Sequence, residues 1–373
     1  MRDTAPQPRL GSIDGWRAVA VLGVFWWHAW IHTGNPAAVV SAGGTSLNLQ
    51  RLLVLLGNGV DFFFVLSGFC IYLSLGRGLT VLTASSYVRF VFNRWRRLSP
   101  AFYAVCLATA GALVMAGREV SLNNLVAHAF WLYGVWPGAE QLAPPFWSLQ
   151  VEWEFYLCAP LLLLIPRPRI RWVLLGILML ASLTLSYTLH NTADGVIPQS
   201  ETDHLPLHLP GFVFGMILAE GWRGQARWLA RLSGPIPLLL GLALAYLGRG
   251  LVSTEAFVWL GSWGVLAKTL ASPVMTLGFA LMAAATLGEV RWISPILRSA
   301  PMQTVGRLSY GLYLWHWWPC LWIGHALRAR LGDTVAAHYL TFAGTVAVCL
   351  PLAWLTYVTC ERAYFRHGRR GKE

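Results

Sequence analysis

Charge is scarce in this chain of 373 residues: Asp, Glu, Lys and Arg together make up 12% of it, against about 25% in an ordinary soluble domain. A soluble protein of this length would bury a large core, but it would also need a charged surface, and too little charge is present to build one. Internal repeats and low-complexity tracts are missing too. A secretory leader is not expected, because about a dozen polar residues precede the first apolar run and no small-residue cleavage site follows it. The six cysteines (Cys70, Cys106, Cys158, Cys320, Cys349 and Cys360) lack metal-type spacing and are expected to be inert packing residues. There is no Walker-type loop, no G-x-S-x-G elbow and no H-E-x-x-H helix. The histidines are too scattered for a compact metal site, so no metal is expected.

What the chain has in abundance is hydrophobic residues, at 56%. Apolar runs of about 18 to 25 residues recur along its whole length, each long enough to span hydrocarbon. The expected fold is therefore all-α: a polytopic membrane bundle of about ten transmembrane helices, forming one domain over 1–373. Spans are expected near 14–33, 52–76, 98–117, 146–165, 172–189, 206–221, 235–249, 263–287, 305–327 and 337–358. The segment 125–136 is apolar but short, which suits a re-entrant or interfacial piece. The net charge of +12 does not point to nucleic acid, because the basic residues sit in short loops rather than on one face. With the N-terminus cytoplasmic, all but six of the 28 Lys and Arg residues fall on that side. The six are Arg51, Arg118, Arg249, Lys268, Arg328 and Arg330, and the bias places both termini inside. The loop at 189–206 is the most polar on the outer side. Trp131, Trp172 and Trp322 sit near expected helix ends, where interfacial anchoring accounts for them.

Against this background, a few ionisable residues stand inside apolar runs. Arg17 and His28 on the first helix are eleven positions apart and so share one side, about 16 Å apart along the axis. A charge in a bilayer faces a cavity or a partner rather than lipid. Asp61 stands alone on the second helix, either as a structural partner for Arg17 or another donor, or lining the same cavity as His28. Arg94 and Arg97 share a face at the basic start of the third helix. Positive-inside anchoring explains their charge; a grip on phosphates by two forked guanidiniums is the sharper reading. Pro100 is expected in the first turn of that span. Ser148, Glu152 and Tyr156 follow i, i+4, i+8 spacing and form one polar stripe on the fourth helix. Glu154 points elsewhere, as a structural or interfacial carboxylate. On the ninth helix, His316 has Tyr313 one turn below it. His28, Asp61, Glu152 and His316 come from four helices at broadly similar depths, and together they suggest one buried reaction or transport centre.

The residues carrying this pattern resemble the acyltransferase 3 family of integral membrane acyltransferases, over about residues 12 to 366. The matching blocks are Arg17 with His28, Gly59-Val60-Asp61 through Ser67-Gly68-Phe69, Arg94-Trp95-Arg96-Arg97, Phe146 through Tyr156, and Ser309-Tyr310 through His316. Departures occur at Trp16, Gln150, Trp153 and the tail Glu361-Arg362-Ala363-Tyr364, which lacks the family's usual proline. The hydrolase-like domain that many relatives carry is not expected after the tenth helix.

The resemblance implies transfer of an acyl group, usually acetyl, from cytoplasmic acyl-CoA to a hydroxyl. The acceptor would be a carbohydrate or glycosylated molecule, such as exopolysaccharide, lipopolysaccharide or a lipid-linked sugar, with secondary metabolites as an alternative. It places the protein in a bacterial cytoplasmic membrane; the oligomeric state is left open, because a bundle of ten helices needs no partner subunit to bury its polar face. On this reading His28 is the general base, Asp61 or Glu152 orients it or holds acceptor hydroxyls, and an acyl-histidine intermediate is the other route. Arg94 and Arg97 hold the CoA phosphates, with Arg17 further along the passage. Ser148, Tyr156, Tyr313 and His316 contact substrate. A transporter of a polar or acidic solute would also want buried charges and a basic mouth. Against it, no paired Gly/Pro-broken helices occur in two related halves.

Overall fold

The structure is a computed structural model that describes residues 10–42, 45–48, 53–78, 82–165, 167–192, 203–251, 260, 263–288 and 290–362. Helix α1 (Gly11–His32) is followed by a short antiparallel ribbon, β1 (Val39–Ala42) with β2 (Thr45–Asn48). A 3-10 turn (Val54–Asn58) leads into α2 (Gly59–Gly78), then α3 (Ala84–Met115) and the short α4 (Leu122–Ala129). Helix α5 (Trp147–Cys158) continues as a 3-10 turn (Ala159–Leu164), followed by α6 (Pro168–Thr192), α7 (Leu205–Arg223) and α8 (Arg227–Arg231). The remainder is α9 (Pro235–Leu251), α10 (Gly264–Leu287), α11 (Ser294–Leu297), α12 (Ala300–Trp315), α13 (Trp317–Leu331) and α14 (Val335–Thr356), which ends in a π turn (Tyr357–Glu361).

The helical expectation holds, and the ribbon is the exception to it. Among the described residues, five helices are long and apolar enough to cross a bilayer: Leu55–Leu75, Ala84–Met115, Pro168–Thr192, Gly264–Leu287 and Val335–Glu361. The chain is thus a helical membrane protein. Residues 193–202 of the expected polar loop lie outside the described residues.

Several boundaries differ from expectation for identifiable reasons. Helix α3 starts at Ala84, not 98, because Thr83 and Ser86 form a capping box there. The basic stretch is therefore the opening of the same helix, and Pro100 lies in its interior. The expected ninth helix is two, α12 and α13, meeting at His316. Pro319 has no N–H to give the Trp315 carbonyl, so the ladder is interrupted there. Pro160 likewise converts the end of α5 into a tighter turn. Trp131 is not an interfacial anchor: it is 1% exposed, packs on Phe102 at 4.2 Å and donates to Ser99 Oγ at 3.1 Å.

Close backbone approach sets the helices that carry the site. A side chain at Gly68 of α2 would collide with the Phe212 carbonyl of α7, and one at Gly306 of α12 with the Asp14 carbonyl of α1. Small residues let membrane helices touch in this way, where the hydrophobic effect supplies no drive.

Candidate active site

Helices α1, α2, α3, α5 and α12 line a partly open cavity. The polar stripe of α5 faces it as its spacing requires, with Ser148, Glu152 and Tyr156 all on the wall. Glu152 Oε1 accepts a 2.5 Å hydrogen bond from Ser67 Oγ and a second from Tyr156 Oη. Among the described residues no donor reaches its other oxygen, which leaves that oxygen for a bound group. Arg17 and Arg97 line the same cavity. Asp14 and Glu152 both act electrostatically on Arg17, and its Nε is buried without a hydrogen-bond partner. A buried guanidinium with unused donors is a ready anion site.

Ser148 and Tyr313 form one end of the cavity. Their hydroxyls are 2.7 Å apart, and Tyr313 Oη donates to the Pro145 carbonyl at 2.8 Å. Behind Tyr313 stands His316, fully buried, with ring centroids 5.3 Å apart. His316 Nδ1 is 2.5 Å from the Tyr313 carbonyl, and its Nε2 is 3.3 Å from His28 Nδ1. His28 Nδ1 is also 2.9 Å from the Val24 carbonyl. A carbonyl only accepts, so both Nδ1 atoms carry the proton. His316 therefore offers a lone pair to the His28 N–H, and Nε2 of His28 is left as a base.

The four buried residues expected to form one centre are thus divided. Glu152 is in the cavity, His28 and His316 form a pair behind Tyr313, and Asp61 is in a different cavity, where Asn58 Nδ2 donates to its Oδ2 at 3.2 Å. Asp61 does not share a cavity with His28, nor is it among that imidazole's hydrogen-bond partners. The face of α2 that lines the first cavity is Val60, Phe63, Phe64 and Ser67. Asp61 is one position, about 100°, away from that face.

The two arginines of α3 also part. Arg97 reaches the cavity, whereas Arg94 donates to Ser74 Oγ at 2.9 Å and lies over the rings of Phe90 and Tyr156 at 5.3 and 5.9 Å. Glu154 is structural: it receives His204 Nδ1 at 3.0 Å and the Leu205 N–H at 2.8 Å, capping α7.

Three site residues escaped the sequence reading. Ser67 and Tyr310 were visible only as parts of blocks; Tyr310 lines the cavity and donates to the Leu98 carbonyl at 2.8 Å. Glu361, 2% exposed at the π turn, is within electrostatic reach of Arg97 and Arg17. Its signal was a carboxylate at the end of an apolar run. Among the described residues no group of three or more His, Cys, Asp and Glu could hold a metal ion.

A family profile described as an acyltransferase domain matches residues 10–357. The exopolysaccharide production protein ExoZ of Rhizobium meliloti is 27% identical over 83% of this chain and 90% of its own length. BcsY of Komagataeibacter xylinus, named as a candidate membrane-bound transacylase, is 26% identical over 99% of this chain and 86% of its own. The peptidoglycan O-acetyltransferase OatA of Listeria monocytogenes is 26% identical over 82% of this chain, but that match covers 48% of the relative. No solved structure matches the chain.

Proposed function

The chain belongs to the acyltransferase 3 family and is an O-acyltransferase, and from that premise we propose that it moves an acetyl group from cytoplasmic acetyl-CoA to a hydroxyl of a carbohydrate or glycosylated acceptor. The observation that carries the reading is the cavity with Arg17 and Arg97 on its wall beside Glu152 and the Ser148–Tyr313 pair. Guanidiniums suit the phosphates of CoA, and its long pantetheine arm brings the thioester to the hydroxyls. The names of the relatives, which mention exopolysaccharide and peptidoglycan, support a glycan acceptor.

A thioester is already activated, so the chain's work is positioning, proton removal and oxyanion stabilisation. Arg97 and Arg17 hold the donor. Ser148 and Tyr313 bracket the acyl end, and the unused oxygen of Glu152 accepts from bound substrate. His28 Nε2 takes the proton of the acceptor hydroxyl, which adds to the thioester carbonyl. Collapse of the tetrahedral adduct breaks the C–S bond, and the proton ends on the CoA sulfur. Direct transfer needs no acyl-histidine, and the tautomer held by Val24 and His316 suits a base. The proposed topology is ten spanning segments, counting the shorter apolar helix Pro235–Leu251 and treating α12 with α13 as one broken span, with both termini cytoplasmic.

The test is thiol release from acetyl-CoA by purified protein in nanodiscs, with a mixed pool of sugar acceptors. Release that needs both an acceptor and His28 supports the reading. Folded protein that releases no thiol from several acyl-CoA donors sinks it. Labelling of a cysteine at Arg330→Cys by an impermeant maleimide on intact cells, with none at Arg227→Cys, is the outcome expected from the topology.

A further inference from the structure

The donor cavity leaves Asp61 unexplained. Asp61 lines a second cavity of about 220 Å³, together with Asn58, His190 of α6, His208 of α7, and Lys268 and Ser272 of α10. Two polar atoms on its wall, Asn58 Oδ1 and Ser272 Oγ, are buried without a hydrogen-bond partner among the described residues. Buried polar atoms are left unpaired rarely, and a ligand or water that meets them removes the penalty.

The donor set narrows the ligand. Asp61 and the Asn58 oxygen only accept, Lys268 only donates, and Ser272 does both. Asp61 disfavours an anion. Lys268 disfavours a cation, as does Arg249, whose charge acts on Asp61. What suits both signs at once is a neutral polyol, whose hydroxyls donate and accept. The cavity does not include His28 among its lining residues. From the donor cavity it is separated by aromatic rings: Phe64, on the donor wall, is 5.1 Å from His208, and His208 is 5.0 Å from Trp147.

We propose that this second cavity binds a neutral sugar residue of the acceptor, adjacent to the residue whose hydroxyl reacts. The proposal rests on the acyltransferase reading above. The test uses the full chain with Ser272→Cys in nanodiscs, and follows maleimide alkylation of that cysteine by peptide mass spectrometry. The probes are methyl β-glucoside, cellobiose and N,N′-diacetylchitobiose. At least one is expected to slow alkylation, by about tenfold at ten times its dissociation constant, while acetyl-CoA does not. Adding Asp61→Asn, or Lys268→Gln should the first variant misfold, is expected to abolish the protection.

A cysteine that is never alkylated, alkylation that no sugar slows, or protection by acetyl-CoA would each overturn the proposal. Protection without thiol release would leave the sugar site standing and remove the transferase reading. Acceptor-dependent thiol release without protection would do the reverse.

Discussion

Replacing His316 measures how the His28 imidazole is held. His28 Nδ1 has two acceptors, the Val24 carbonyl at 2.9 Å and His316 Nε2 at 3.3 Å. In His316→Ala the nearer one remains, so the proton stays on Nδ1 and the lone pair on Nε2. What is lost is the longer of two neutral hydrogen bonds, about 0.5–1.5 kcal/mol. At 1.36 kcal/mol per factor of ten, that is a fall in kcat of roughly two- to thirteenfold. A base whose tautomer hangs on one group loses about 10⁴ when that group is changed, so the two arrangements are well separated. His316→Gln, whose amide oxygen can accept in place of Nε2, should recover most of the loss. Initial rates of thiol release at saturating acetyl-CoA and acceptor read kcat, and KM for acetyl-CoA should not move. Thermal melting accounts separately for the lost stacking on Phe25, now at 5.3 Å. A fall beyond about 10³ in folded protein, or a Gln variant as slow as Ala, refutes the two-acceptor argument.

Arg97→Ala should raise KM for acetyl-CoA roughly ten- to a hundredfold, the equivalent of one lost charge-assisted hydrogen bond. Arg94→Ala, already engaged by Ser74 and two rings, should change that KM by less than about threefold but lower the melting temperature; equal effects on KM would contradict this assignment. Glu152→Ala strands the Ser67 and Tyr156 hydroxyls beside Arg17 and should destabilise the fold by about 3–5 kcal/mol. Glu152→Gln, which can still accept both bonds, should melt close to the parent, and an Ala variant that does the same would count against the network. Gly306→Val drives a side chain into the Asp14 carbonyl and should prevent recovery of monodisperse protein in detergent, an outcome that normal yield and melting would disprove.

Helix positions were legible because an apolar run of bilayer length is a signal that needs no knowledge of contacts. Helix breaks were not. Pro100, Pro273 and Pro351 lie inside continuous helices, whereas Pro319 accompanies a break at His316. A missing N–H is visible in the sequence, but whether neighbouring groups compensate for it is a property of the packing. The stripe of Ser148, Glu152 and Tyr156 was legible from spacing alone. The choice between the two readings of Asp61 was legible in principle, because Val60, Phe63, Phe64 and Ser67 follow i, i+3, i+4, i+7 and Asp61 does not. The pairing of His28 with His316 had no local signal, since the two are 288 residues apart. Similar depth on two helices does not say which sides face each other.

The rings of Phe64, His208 and Trp147 do more than separate two chambers. Were the donor cavity reached from the cytoplasm and the sugar cavity from outside, this layer would be the insulation of the membrane at that point. The voltage that elsewhere drops across about 30 Å of hydrocarbon would drop there across a few rings. Each charge moved through such a layer is worth about 2.3 kcal/mol per 100 mV. An enzyme that carries no ion across the membrane would then still sense whether the cell is energised, through any charge displaced beside those rings.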